Sequence, residues 1–197
     1  MIIAGAGSAG IETTGICLLS GYNDIVLYDD SINSNKLILQ KYHVIKTEEE
    51  LKKAIERNPA FCVAIGHPRT REKVFNRLLK MGGNPTNVIN YKAIYSVCEI
   101  PQAANIMHPG VNISYDFEIG KSCMIHANVV IGHKVKMGNF VNVSPLCSII
   151  GPCTIGDYAY IAAGSVILPH HKIGKNAIIP ARSVVDRDVK DYETFGQ

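Results

Sequence analysis

The sequence predicts an α/β domain followed by an all-β one: a small Rossmann-like parallel sheet over residues 1–95, then a left-handed parallel β-helix over residues 96–197. Three observations carry this. A period of six runs through the second half, strand and helix signals alternate through the first, and a glycine-rich turn joins the first strand to the first helix.

Stepping by six from Met107 meets Ile113, Ile119, Ile125, Ile131, Met137, Val143, Ile149, Ile155, Ile161, Ile167, Ile173, Ile179 and Val185, all aliphatic. Four residues after each stands a mostly small or β-branched one, such as Val111, Cys123, Val129, Val141, Cys147, Cys153, Ala159 and Ser165. An α-helix cannot use a period of six. A three-sided prism can, with one hexapeptide per side and about eighteen residues per coil. The large aliphatic fills the narrow interior, and the small residue fits where space is tightest. Glycine follows five of the aliphatics, at Gly120, Gly132, Gly138, Gly156 and Gly174. There it is expected to ease the corner by accepting positive φ.

In the first half, residues 2–4, 25–28, 44–45, 61–65 and 88–89 read as short buried strands, and 9–20, 48–57 and 69–81 as helices. The second helix opens on a capping box, Thr47 to Glu50, and the third follows Pro68. Such alternation implies a parallel sheet with right-handed crossovers. The first turn, Gly5-Ala6-Gly7-Ser8-Ala9-Gly10, is a complete G-x-G-x-x-G, with Asp29 and Asp30 at the end of the second strand. Bare glycines let backbone amides approach a phosphate at a helix N-terminus, and an acid there accepts from a sugar hydroxyl. About 95 residues is half of a dinucleotide-binding sheet, so a nucleotide-sugar suits the domain better than a nicotinamide dinucleotide. A turn that needs glycine for packing alone is the competing reading. The connecting stretch, 91–104, lacks linker composition and is expected to hold the two domains in a fixed relation.

Composition narrows the function classes. Hydrophobic residues make up 47% and charged ones 19%, too apolar for disorder. The net charge of +3 is spread without a lysine or arginine run, which argues against nucleic acid. No apolar stretch approaches the roughly 20 residues of a membrane span. Met1 to Gly5 reads as a strand and not as a secretion signal. The six cysteines form no C-x-x-C pair, so free buried thiols in a reducing, cytoplasmic compartment are expected. His108, His126, His170 and His171 show no zinc spacing, so they read as structural and no metal is expected.

Gly5 to Gly10, Asp29-Asp30, the strand end Ala64-Ile65-Gly66, the repeats and the segment Val129-Val130-Ile131-Gly132-His133 together resemble the sugar O-acyl/N-acyltransferase family. The likeness covers almost the whole chain. It implies an acetyl-CoA-dependent N-acetyltransferase for the amino group of a nucleotide-activated sugar. It further implies a homotrimer with acetyl-CoA in the cleft between neighbouring β-helices. His133 falls on the family's general base, and Gly151 on the amide that holds the thioester oxyanion. Gly7, Ser8, Ala9, Asp29, Asp30 and Gly66 fall on the sugar-nucleotide side, and Asn142, Ala163 and Ala181 on the cofactor side. Three departures stand out. Lys134 replaces the acid that follows the base, Asn142 replaces a second histidine, and Ala9 replaces a histidine of the glycine-rich turn.

Coil arithmetic sets His133 between Tyr115 and Gly151, with strands about 4.8 Å apart. A base and an oxyanion donor would then converge on one acyl carbon. The same arithmetic sets Asp116 beside Lys134, and a pair between them is expected to modulate the protonation of His133. Sugar or sialic acid O-acetylation shares this chemistry. A non-catalytic trimeric sugar-binding scaffold is the reading from another class.

Overall fold

The computed structural model describes residues 1–32, 37–90, 92–95 and 99–197, apart from the side chains of Ile94 and Tyr95. The first domain runs β1 (Ile2–Ala4), α1 (Ser8–Leu19), β2 (Val26–Tyr28), β3 (Val44–Ile45), α2 (Glu48–Arg57), β4 (Ala60–Val63), α3 (Pro68–Lys80) and β5 (Asn84–Pro85). Its five strands are parallel in the order β3-β2-β1-β4-β5. Ile2, Ile3 and Ala4 are buried at the centre, as a strand covered on both faces requires. α1 lies close on the sheet because the face it buries is small, made of Gly10, Thr13, Thr14, Ile16 and Cys17. α2 starts where the Thr47–Glu50 capping box satisfies its first amides. α3 starts at Pro68, capped by His67, and ends before Gly82, whose φ of +91° breaks the helix.

The strand predicted at 88–89 forms, but in another sheet. Val88 pairs with Ile106 in the β-helix, and the fifth strand of the first sheet is β5. The change of sheet thus falls between Pro85 and Val88.

From there the chain winds a parallel β-helix. One face stacks strands 88–89, 106–107, 124–125, 142–143, 160–161 and 178–179. A second stacks 94–95, 112–113, 130–131, 148–149, 166–167 and 184–185, and a third stacks 118–119, 135–137, 153–155 and 172–173. Every pairing is parallel and in register with a residue eighteen positions away, as in Val130↔Asn112 and Val130↔Ser148. The stepped aliphatics and the small residues fill one continuous core, from Met107 to Val189. Cys123, Cys147 and Cys153 are in it. These three, with Cys17 and Cys62, are free and buried; Cys98 lies outside the described residues.

The corner glycines do something other than expected. None of the five has positive φ, and the left-handed positions fall three residues after most of the aliphatics, at Asp116, Ser122, Asn128, Lys134 and Phe140 among others. Glycine is required instead by the next coil. A Cβ at Gly132 would lie 2.7 Å from the Gly151 nitrogen, and one at Gly156 would lie 2.7 Å from the Lys175 nitrogen. Space between coils decides these positions, not dihedral freedom.

The first domain docks on the first face and on the corner leading into it. Phe75 meets Phe61 and Phe140 edge to face, and Met124 and Ile106 join the same buried cluster. Each such side chain is worth about 1.5–3 kcal/mol when buried, enough to fix the two domains as one body. Arg71 sits at the centre of this junction with no exposed surface. Arg69 stacks over Tyr158 at 3.7 Å, and the Tyr158 hydroxyl donates to Glu72 at 2.7 Å.

Candidate functional site

In an open parallel sheet, ligands bind at the carboxyl ends of the strands where the winding reverses, here between β1 and β4. The turn after β1 carries Gly5 to Gly10, and the turn after β4 carries Ala64 to Pro68. The β-helix covers the crevice between them, leaving a cavity of about 680 Å³. Ser8, Ala9, Glu12, Gly66, His67 and Pro68 line one wall; His108, His126, Ala127, Asn142, Ser144, Pro145 and Tyr160 line the other.

The glycines of the first turn divide by role. Gly5 has a φ of +102°, and a Cβ there would lie 2.6 Å from the Ala64 carbonyl oxygen. A Cβ at Gly10 would run into the Gly5 carbonyl. Gly7 and Gly66 have ordinary φ, and a Cβ at either meets nothing within 4 Å. Packing therefore explains Gly5 and Gly10, while Gly7 faces open space. No side chain caps α1 at Gly7, so the first amides of the helix are free to hold an anion. Gly10→Ala is expected to cost about 1–3 kcal/mol in denaturant unfolding, and Gly7→Ala less than about 1 kcal/mol. Equal losses would contradict this division.

Asp29 and Asp30 are engaged by the protein's own groups. Asp29 accepts from the Ala6 amide at 2.9 Å and from the Ser31 amide and hydroxyl at 3.0 and 2.6 Å, bracing the glycine turn. Asp30 accepts from Arg77 at 2.6 Å and from the Tyr28 hydroxyl at 2.9 Å. The Arg77 hydrogen bond holds its carboxyl below the usual range. Neither carboxylate lines the cavity.

Two histidines that the sequence marked as structural are the most polar part of the β-helix wall. His108 and His126 lie one coil apart, with ring centroids 4.7 Å from each other, and Glu12 of α1 approaches both. The ligating atoms of the three residues lie within 4.8 Å of one another. Burial drops the His108 pKa to about 4, helped by His126. Burial also lowers that of His126, while Asn142 and Glu12 oppose the fall and Arg71 adds to it. His108 Nε2 is buried without a hydrogen-bond partner. The signal in the sequence was the spacing: eighteen residues separate 108 from 126, and 126 lies on the same face as 142.

His133 sits elsewhere, on the corner between the second and third faces. Its ring stacks on Tyr115 at 5.3 Å and 12°, one coil away as the arithmetic required. Gly151 follows on the other side, where a Cβ would strike the His133 carbonyl. The expected Asp116–Lys134 pair does not form. Both residues occupy left-handed corner positions, with φ of 55° and 56°, and the ladder pair two residues on, Glu118 and Lys136, meets at 2.8 Å instead. Beside His133 runs a basic groove of about 390 Å³, lined by Lys134, Lys136, His170, His171 and Lys172 among others. Ala163 and Ala181 are exposed on the corner column that rises from the cavity edge through Ala127 and Pro145. Within one chain the structure thus gathers Ser8, Ala9, Gly66 and Asn142, but leaves His133 and Gly151 at a different corner.

Residues 1–78 match the PglD N-terminal domain, and residues 107–195 match the GMPPB C-terminal domain. The GDP-perosamine N-acetyltransferase of Escherichia coli O157:H7 is 29% identical over 172 residues, covering 84% of this chain and 76% of the relative. The structure of PerB from Caulobacter crescentus, solved with CoA and GDP-perosamine, matches with a TM-score of 0.83 and 24% identity over 96% of this chain and 90% of that one. The acetyltransferase domain of PglB from Neisseria gonorrhoeae FA1090, solved with acetyl coenzyme A, matches with a TM-score of 0.77 and 21% identity over 96% and 92%. WeeI from Acinetobacter baumannii AYE matches with a TM-score of 0.85 and 24% identity over the same shares. With a match to the PglD N-terminal domain ahead of a hexapeptide β-helix, and a relative alike across both, the chain is similar over most of its length to a sugar N-acetyltransferase.

Proposed function

We propose that this protein transfers an acetyl group from acetyl-CoA to the amino group of a nucleotide-linked sugar, with each site shared between two copies of a homotrimer. The carrying observation is the cavity at the β1/β4 switch point, walled by the uncapped start of α1 and closed by a β-helix face bearing imidazoles. The nucleotide diphosphate lies at the α1 amides near Gly7 and Ser8, and the sugar points toward the β-helix.

The division of the site between corners supports the sharing. The second face and its edges expose Val130, Val184, Ile150, Leu146 and Tyr115, the last two at 66% and 45%. A face of this kind is covered by copies of itself in a closed ring. If it faces a threefold axis, the corner with His133 of one copy lies against the corner with Pro145 and Ala163 of the next. His133 then acts as base beside the neighbour's sugar, and the Gly151 amide receives the oxyanion. The CoA chain follows Ala163 and Ala181, and the basic groove accommodates CoA phosphates. No helix among the described residues is long and apolar enough to cross a membrane, and the buried free thiols suit a cytoplasmic setting.

The test is thiol release from acetyl-CoA with a panel of UDP-, GDP- and dTDP-linked 4-amino sugars. Turnover with one acceptor class is expected. Tight binding of a nucleotide-sugar with no thiol release from any acceptor would make the protein a binding scaffold instead.

A further inference from the structure

The acceptor amine arrives as an ammonium and must lose a proton before it can attack. His133 stands at another corner, while the cavity that would hold the sugar contains its own acid–base group. Glu12, exposed on the first turns of α1, faces His126, and the His126 ring lies 4.7 Å from that of His108, tilted by 40°. In the cavity wall His108 Nε2 is buried and unpaired, on a residue only 6% exposed. Unsatisfied buried polar atoms of this kind are costly unless a ligand completes them.

We infer that Glu12, His126 and His108 form the docking site of the acceptor's ammonium group, and that His126 takes its first proton. This rests on the proposed transfer reaction and assigns it a second base. The Glu12 carboxylate supplies the only negative charge among the residues lining the cavity, and so selects a cationic substituent over a hydroxyl. Arg71 and His108 face His126 from α3 and from the preceding coil, and His67 and Tyr160 complete the surroundings. Burial keeps both imidazoles neutral near pH 7, so both are acceptors there.

The protons balance. The ammonium gives one proton to His126, which later returns it to solvent, and is left as a free amine. The amine lone pair forms the C–N bond at the thioester carbonyl, and the C–S bond breaks. The second nitrogen proton passes through His133 to the departing thiolate. Amide, CoA thiol and one solvent proton result. The cluster shares the cavity lining with Ala9 and Asn142, where the resemblance leads one to expect histidines.

The test is calorimetric binding of GDP-perosamine and of its 4-hydroxy analogue to wild type, Glu12→Gln and His126→Asn, with the pH profile of turnover for each. Wild type is expected to prefer the amine by at least about tenfold. Glu12→Gln should lose that preference while binding the hydroxy analogue unchanged. His126→Asn should keep the preference but lose the lower-pH limb of the kcat profile. Unchanged discrimination and unchanged profiles in both variants overturn the inference while leaving the transfer reaction standing. Stoichiometric zinc in the purified protein, lost in both variants, also overturns it, because the cluster would then be a metal centre. If wild type neither binds nor acetylates this acceptor or any other of the panel, the transfer reading fails first and this inference with it.

Discussion

Arg71→Met should cost about 3–5 kcal/mol of stability, the range for removing one partner of a buried charged network. The Arg71 guanidinium donates to five backbone carbonyls, those of Ile65 at 2.6 Å, Gly66 at 2.8 Å, Ser122 at 2.7 Å, Phe140 at 2.7 Å and Val141 at 3.2 Å. Two belong to the turn after β4 and three to the β-helix, so one side chain ties the domains together. Burial pushes its pKa down only to about 10, which leaves it a cation near pH 7. Among the described residues no carboxylate is its partner; carbonyl dipoles, with the Met124 sulfur at 3.6 Å, compensate the charge. Methionine fills comparable space but leaves these acceptors facing one another without a donor, each worth about 1–3 kcal/mol if buried and unpaired. Lysine is no rescue, because its point-like ammonium cannot span carbonyls that a planar fork reaches on both edges. Guanidinium unfolding followed at Tyr residues of both domains would check this. A single transition in wild type should shift to lower denaturant in the variant. A loss below about 1 kcal/mol would show that apolar contacts around Phe75 and Phe140 hold the domains unaided. Because Gly66 lines the cavity, the same variant should also bind nucleotide-sugar more weakly.

Much of this architecture was legible in the chain, because a period of six admits few other folds and the G-x-G-x-x-G turn stood where a β1–α1 junction requires it. What local reading could not reach were consequences of stacking. The corner glycines looked like turn residues, yet their constraint comes from backbone atoms of the next coil. Asp116 and Lys134 share a register, but their left-handed corners do not bring the charges together as the extended Glu118 and Lys136 do. Val88 and Ile89 read as a strand of the first sheet because nothing local says which sheet a strand joins. His108 and His126 read as structural histidines until the coil length set one above the other. Arg71 gave no signal at all: an arginine in an amphipathic helix that also carries Arg69 and Arg77 is usually solvated, and only the docking of two domains buries it.

His133→Ala is expected to lower kcat/KM for acetyl transfer by about 10²–10⁴-fold, the usual contribution of a positioned general base. Stability should change little, because His133 is only half-buried and its ring stacks on the exposed Tyr115. Nucleotide-sugar affinity should also hold, since His133 is absent from the cavity of its own chain. This pattern, kcat lost with binding kept, separates a base from a substrate-binding group. A sharper consequence follows from the division between corners. A second variant, Gly7→Trp, fills the open space at the start of α1 and blocks the cavity while keeping His133. Each variant alone should be inactive. Mixed oligomers, formed by co-refolding, should regain part of the activity, because some interfaces join an intact cavity from one copy to an intact His133 from another. If both residues served one site within a single chain, no mixture could restore it, and the shared-site reading would fall even with His133 confirmed as the base.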